Sequence, residues 1–222
     1  MFDNFFELLV RILPQLLMGF RVSILIFGLT LLFSIPLGMA ICMLRICRIA
    51  PVAWLIRIYI SIMRGTPLML QLLVVFFGPY YIFGISISDS YRFFAVIIAF
   101  SLNYAAYFCE IYRAGIESIP PGQYEAANVL GYSRLQTFFK IILPQVVKRT
   151  LPPVTNEVIM LTKDNSLAFA IAYMEMFTMA KQLASSQRSM VPYIAAGALY
   201  YVFNFLVAWI MERFEKKLNY YH

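Results

Sequence analysis

Six polar residues in two stretches of this chain carry side chains that could do chemistry inside an apolar environment. Asn103, Tyr107 and Glu110 recur at i, i+4 and i+7, which puts them on one face of a helix. Glu157, Lys163 and Asp164 form a second group, a cation among carboxylates. Both groups interrupt apolar sequence. A charged side chain at the bilayer centre costs about 2.5–3.5 kcal/mol on insertion scales, so a retained one is a functional candidate. Each has a plainer reading beside the functional one. Glu110 stands three residues before Arg113, where an internal ion pair near one end of the helix would account for it. Asn103 and Tyr107 lie nearer the middle, where interhelical hydrogen bonding stands beside solute contact. Glu157 is either paired with Lys163 or free to meet a solute. Other chemistries find no residues. There is no G-x-x-x-x-G-K-[ST] to cradle a phosphate. Cys42, Cys47 and Cys109 fall in or beside apolar runs, with no CxxC and no histidine at metal-binding spacing. The only histidine is the C-terminal His222, so a histidine-based triad has nothing to use. No catalytic residue and no metal site are assigned, and the chain is not expected to be an enzyme.

The elements that must hold these groups are membrane helices. The 222 residues are 62% hydrophobic and 13% charged. Soluble domains carry about 45–50% apolar and about 25% charged residues, so a water-soluble enzyme is excluded, and disorder with it. A span needs roughly 20 mostly apolar residues. Uncharged runs lie between Arg21 and Arg45 and between Arg188 and Glu212. Met69 to Ile87 gives a third span, and Phe93 through Cys109 a fourth that continues past Glu110. The fifth, about Ile141 to Leu161, holds Lys148, Arg149, Pro152, Pro153 and Glu157, so it belongs inside a bundle or along a cavity. Residues 1–18 carry Asp3, Glu7 and Pro14; they read as an amphipathic helix on the outer surface rather than a signal peptide.

Lysine and arginine set the orientation. Five spans place twelve of them on one side, including Arg45, Arg48, Arg57, Arg64 and the Arg113–Arg149 group, against six on the other. The N-terminus is therefore expected outside and the C-terminus in the cytoplasm. The basic residues are dispersed between apolar runs, which argues against nucleic acid as a partner. No internal repeat of the secondary-transporter kind is visible.

The third connection, 120–144, is the most informative loop. Gln123 to Leu130 (QYEAANVL) reads as a short helix, and Gly131 as the left-handed residue that ends it. Ser133 with Gln136 is a capping box for a second helix through Phe138, Phe139 and Ile141, until Pro144 interferes. Glu125-Ala126-Ala127, Gly131 and then Ile141-x-Leu143-Pro144, at this spacing, resemble the EAA loop of the permease subunits of bacterial ABC importers. Arg64-Gly65-Thr66-Pro67-Leu68 followed by Gln71, Asn103 to Glu117 (NYAAYFCEIYRAGIE) and Leu161 to Leu167 (LTKDNSL) are similar to the polar amino-acid branch of that family. Thr66 suits a cap and Pro67 a first helical turn, so a membrane helix is predicted to start there.

The resemblance implies an all-α polytopic integral membrane protein of the type I ABC importer permease kind, with five principal transmembrane helices, in a bacterial cytoplasmic (inner) membrane. It implies one of two transmembrane subunits, the second being the same chain or a related one. Glu125, Ala126, Ala127 and Gly131 would contact a cytoplasmic ABC ATPase dimer, and an extracytoplasmic solute-binding protein would deliver an amino acid. No cofactor is expected in this chain; ATP and Mg would sit on the partner ATPase subunits. By resemblance Asn103, Tyr107, Glu157, Lys163 and Asp164 would take part in substrate binding. An amino-acid zwitterion needs a cation and an anion, which Lys163 with Asp164 or Glu157 would supply, and a spare carboxylate at Glu157 would favour a cationic side chain. Two rivals make other predictions. An ATP-independent secondary carrier would use Glu110 or Glu157 as an ion site and would leave the loop unexplained. A membrane scaffold without a transport path would tolerate changes at Asn103, Glu157 and Lys163. An intramembrane enzyme ranks last, for want of a nucleophile–base pair.

Overall fold

The computed structural model describes residues 2–47 and 49–218. Arg48, used in the charge count, and His222 lie outside the described residues. All regular structure among the described residues is helical: α1 (Phe2–Arg45), α2 (Ala50–Gly65), α3 (Leu68–Phe83), α4 (Tyr91–Glu117), α5 (Pro121–Val129), α6 (Arg134–Thr137), α7 (Leu143–Asp164), α8 (Met176–Gln187) and α9 (Val191–Leu218). A π-helical turn, Phe138–Ile142, leads into α7, and a 3₁₀ segment, Asn165–Ile171, leads out of it.

α4 is the central helix, buried along most of its length from Ala95 to Gly115. Small residues let its neighbours approach closely. α1 faces it with a buried stripe at i+3 and i+4 spacing that includes Ile26, Thr30, Ser34, Gly38, Ile41 and Cys42. At Gly38 an added Cβ would stand 2.7 Å from Cβ of Phe108, so only glycine admits this contact. Gly115 plays the same part against α7, where a Cβ would lie 2.2 Å from Cγ2 of Thr150.

Among the described residues, three helices are long and apolar enough to cross a membrane: Phe5–Arg45, Tyr91–Glu117 and Val191–Lys217. α2 and α3 meet the same test only together, as one element bent by 112°. α7 is long enough at 22 residues, but its charges and prolines keep it from being an independent apolar span. It packs against α4 and α9, with Val146, Thr150, Thr155, Val158 and Leu161 buried, as expected of an interior helix.

Three local expectations are corrected. Residues 1–18 do not form a separate surface helix: α1 runs unbroken through Pro14 for 44 residues, about 66 Å. Its apolar stripe is already covered by protein, since Ile12 and Leu16 pack with Met176, Ala180 and Leu183 of α8 and Ala195 and Ala196 of α9. Residues 50–65, which no expected span includes, form a helix of their own, α2, started by Pro51 in its first turn. Pro144 does not end a helix. The wide turn 138–142 lets Leu143 N–H reach the carbonyl of Phe138, and the proline enters the first turn of α7, where its missing N–H is tolerated.

Candidate functional site

α4 and α7 are the walls of a cavity of about 580 Å³, lined by Arg64, Tyr107, Glu110, Arg113, Ser118, Arg149, Thr150, Pro153 and Glu157. Its cations and anions are unequally engaged. Glu110 holds three guanidinium groups: Arg113 at 2.8 Å, Arg45 of α1 at 3.5 Å and Arg64 at the end of α2 at 3.9 Å. Arg113 also pairs with Glu117. The expected Glu110–Arg113 pair is therefore present, and it is the centre of a larger cluster that pins α1 and α2 to α4. Arg149 donates to the carbonyl and the hydroxyl of Ser118. Arg64 is nearly half exposed, is the most loosely held of Glu110's partners, and lies 5.3 Å from the ring centroid of Tyr107. Glu157 has no ion pair among the described residues. The cavity thus holds one loosely engaged cation and one unpaired carboxylate beside an aromatic ring.

The sequence groups separate accordingly. Tyr107 and Glu157 line the cavity. Asn103 is buried; its amide donates to the carbonyl of Met63 at 3.0 Å and to Oε1 of Gln71 at 2.9 Å, so interhelical bonding is its observed use. Gln71 in turn donates to Met63, to the carbonyl of Thr66 and to Oγ1 of Thr66. Together they tie down the break between α2 and α3 and set where Arg64 stands. Thr66 is not the cap of α3: its hydroxyl turns back to the carbonyl of Ile62 at 2.8 Å, and Pro67 occupies the cap position. Asp164 accepts from the hydroxyl of Tyr104 at 2.7 Å. Lys163 is exposed and outside the cavity, and it makes no ion pair with Glu157. Helical geometry explains the split, since 157 and 164 are seven residues apart on one face while 163 points about 100° away.

Two residues escaped the sequence reading. Arg64 stands in the Arg64-Gly65-Thr66-Pro67-Leu68 motif with no site role, because nothing local reveals the 112° bend that follows Gly65. Glu175 is fully buried before α8, accepting from the N–H groups of Phe177 and Thr178 at 2.7 Å, from the hydroxyls of Thr178 at 2.9 Å and Tyr200 at 3.0 Å, and from Ser23 at 3.4 Å. It caps α8 and joins that helix to α1 and α9. Nothing local marks Glu175 as a cap, because helix N-caps favour Ser, Thr, Asp and Asn over glutamate.

The loop between α4 and α7 is built as its sequence prescribes. α5 ends in Gly131 at φ +76°, where N–H of Gly131 meets the carbonyl of Asn128 and N–H of Tyr132 that of Ala127, the paired bonds of a Schellman motif. Ser133 and Gln136 exchange both capping-box bonds, at 3.3 and 2.9 Å. Ile119, Ile142 and Val146 pack beneath it. Glu125, Ala126 and Gly131 are exposed; Ala127 is buried and packs the loop rather than offering a contact. Val129, Leu130 and Leu135 are exposed at 87%, 73% and 72%, an apolar surface on a short polar loop.

With this geometry in view, comparison with known proteins is decisive. Residues 34–220 match the family model described as binding-protein-dependent transport system inner membrane component. The chain belongs to that family. The L-cystine transport system permease protein TcyL of Bacillus subtilis (strain 168) is 39% identical over 210 residues, covering 93% of this chain and 88% of that protein. The arginine transport system permease protein ArtQ of the same organism is 35% identical over 208 residues, covering 93% and 94%. A crystal structure of an amino acid ABC transporter with histidines matches with a TM-score of 0.86 at 30% identity, covering 94% of this chain and 96% of that one. The chain is thus a permease subunit with the all-helical type I fold, a membrane component and not an enzyme in its own right. The elements carrying the loop and the cavity, α4 to α7, all fall within the matched region.

Proposed function

We propose that this permease forms the transmembrane path of an ATP-driven importer of polar amino acids, with preference for a cationic side chain. The observation that carries the reading is that the cavity lies between α4 and α7, the two helices that the exposed loop joins. A partner that moves the loop moves both walls. A cytoplasmic ABC ATPase dimer would hold the loops of two permease subunits through Glu125, Ala126, Val129, Leu130 and Gly131. A solute-binding protein would deliver the amino acid on the far side. On this reading the N-terminus is outside and the C-terminus in the cytoplasm of a bacterial inner membrane. By linkage, the loaded binding protein must favour the state that closed ATPases favour.

In the cavity, Arg64 takes the α-carboxylate, Glu157 the positive end, and Tyr107 the wall between them. This replaces Lys163 as the cation, since that residue lies outside the cavity. Names of relatives include L-cystine and arginine systems, which share the zwitterion and differ in the side chain. Competition uptake tests the assignment. Arg64→Gln is expected to weaken every amino acid, by tenfold or more if a charged hydrogen bond of about 1.5–3 kcal/mol is lost. Glu157→Gln is expected to weaken arginine more than glutamine. Equal effects on cationic and neutral amino acids would remove the preference for a cationic side chain.

A further inference from the structure

At the end of the bundle opposite the Pro121–Ile142 loop lies a helix that neither the cavity nor the loop uses. α7 leads away from that loop for 22 residues, about 33 Å, before the chain turns through Asn165–Ile171 into α8. α8 is amphipathic in an unusual sense for this molecule. Its inner face (Met176, Ala180, Leu183, Ala184) is buried against α1 and α9, and its N-terminus is fixed by Glu175. Its outer face is Lys181, Gln182, Ser185, Ser186 and Gln187, ending in Arg188, all exposed. No large apolar residue interrupts that face. By contrast α1, α3 and α9 expose Leu32, Phe33, Val74, Tyr81, Val202 and Phe205, as lipid-facing helices do. The α8 face therefore meets water.

It is also basic. Lys181 and Arg188 make no ion pair among the described residues, and Lys163 stands exposed and unpaired at the same end of α7. Of the acids at this end, Glu175 is buried and consumed, Asp164 accepts from the hydroxyl of Tyr104, Asp89 pairs with Arg92 at 3.3 Å, and Asp3 and Glu7 lie in the first turns of α1. Lys181 lies 5.3 Å from the ring centroid of Phe169, and the two border a shallow depression of about 600 Å³ with Ala172, Gln182 and Ser185. A family whose members depend on a soluble binding protein must offer that protein a water-facing surface on this side. Among the described residues, α8 is the helix that does so.

We infer that the outer face of α8, centred on Lys181 and Arg188, is the docking surface for an acidic patch on the solute-binding protein. The inference rests on the importer reading and adds the surface and its charge. Exposed charge pairs of this kind govern association rate and salt dependence more than buried contact does. The test uses the complete transporter in lipid nanodiscs, with its purified cognate solute-binding protein, loaded with amino acid, as the probe. Wild-type affinity should fall steeply from low to high salt. The double variant Lys181→Glu/Arg188→Glu should bind about tenfold or more weakly at low salt and lose most of that salt dependence. Lys181→Arg/Arg188→Lys should bind as wild type does, and thermal melting checks that each variant is folded. A photo-crosslinker on Gln182→Cys should capture the binding protein, while one on the lipid-facing Val202→Cys should not. Unchanged affinity and salt slope in the charge-reversed variant would overturn the docking surface while leaving the importer intact. Failure of wild type to bind or respond to the binding protein would overturn the importer reading, and this inference with it.

Discussion

Glu110 engages three arginines, and that engagement decides which charges remain for a solute. Arg113 and Arg45 are held by it, Arg149 is spent on Ser118, and Arg64 is left partly exposed over Tyr107. Removing Glu110 would leave those guanidinium groups facing one another, so Glu110→Ala should lower thermal stability in detergent and Glu110→Asp should lower it less. Glu175 is the other consumed carboxylate. Glu175→Ala strips the cap from α8 and strands Tyr200, Thr178 and Ser23, and is expected to cost about 2–4 kcal/mol. Glu175→Gln keeps an acceptor and should cost less; thermal melting of the purified protein checks both. Tyr107, Glu110 and Glu157 were legible as polar residues in apolar runs, because retention at membrane depth is itself a signal. Arg64 was not legible. Only the packing of α2 against α4, where the hydroxyl of Tyr59 meets the carbonyl of Leu102, brings it to Tyr107. Asn103 was legible as polar but not as to use, since its partners Met63 and Gln71 lie 40 and 32 residues away.

At the scale of elements, the molecule depends on close helix contact and on one sharply built loop. Gly115 admits Thr150 of α7 where any Cβ would collide, so Gly115→Ala should cost about 1–3 kcal/mol through overpacking. Thr150→Ser removes the colliding Cγ2, and the double variant should recover most of that loss; a double-mutant cycle in thermal melting measures it. At Gly131 the space around an added Cβ is open and φ is +76°, so the penalty of Gly131→Ala is conformational, about 1–2 kcal/mol. That variant should uncouple ATP hydrolysis from uptake while solute affinity in the cavity stays unchanged. The two helix ends of the loop were readable because they are local, a glycine and then Ser133 and Gln136 three apart, whereas the wide turn 138–142 and the start of α7 at Pro144 were not. α8 and the separate identity of α2 were not readable. Neither has a long apolar run, and each exists because its inner face meets another helix.

For the whole molecule, hydropathy identified the long helices and the interior character of α7, which its prolines and charges made plain. It missed the unbroken passage of α1 through Pro14, because burial of Ile12 and Leu16 against α8 and α9 is a long-range fact. The architecture then sets a charged cavity between α4 and α7, a loop with an exposed apolar surface joining those helices at one end, and a helix with a basic, exposed face at the other. The central claim is that force on the loop opens and closes the cavity. Its most direct test is uptake of radiolabelled arginine, histidine, glutamine and cystine into proteoliposomes holding the reconstituted complex, with ATP supplied on the ATPase side. Wild type is compared with Leu130→Asp, which places a charge on the exposed apolar loop surface. The account predicts uptake that requires ATP and is lost in Leu130→Asp. Uptake that proceeds without ATP and is indifferent to the loop change would contradict it and make the chain a secondary carrier.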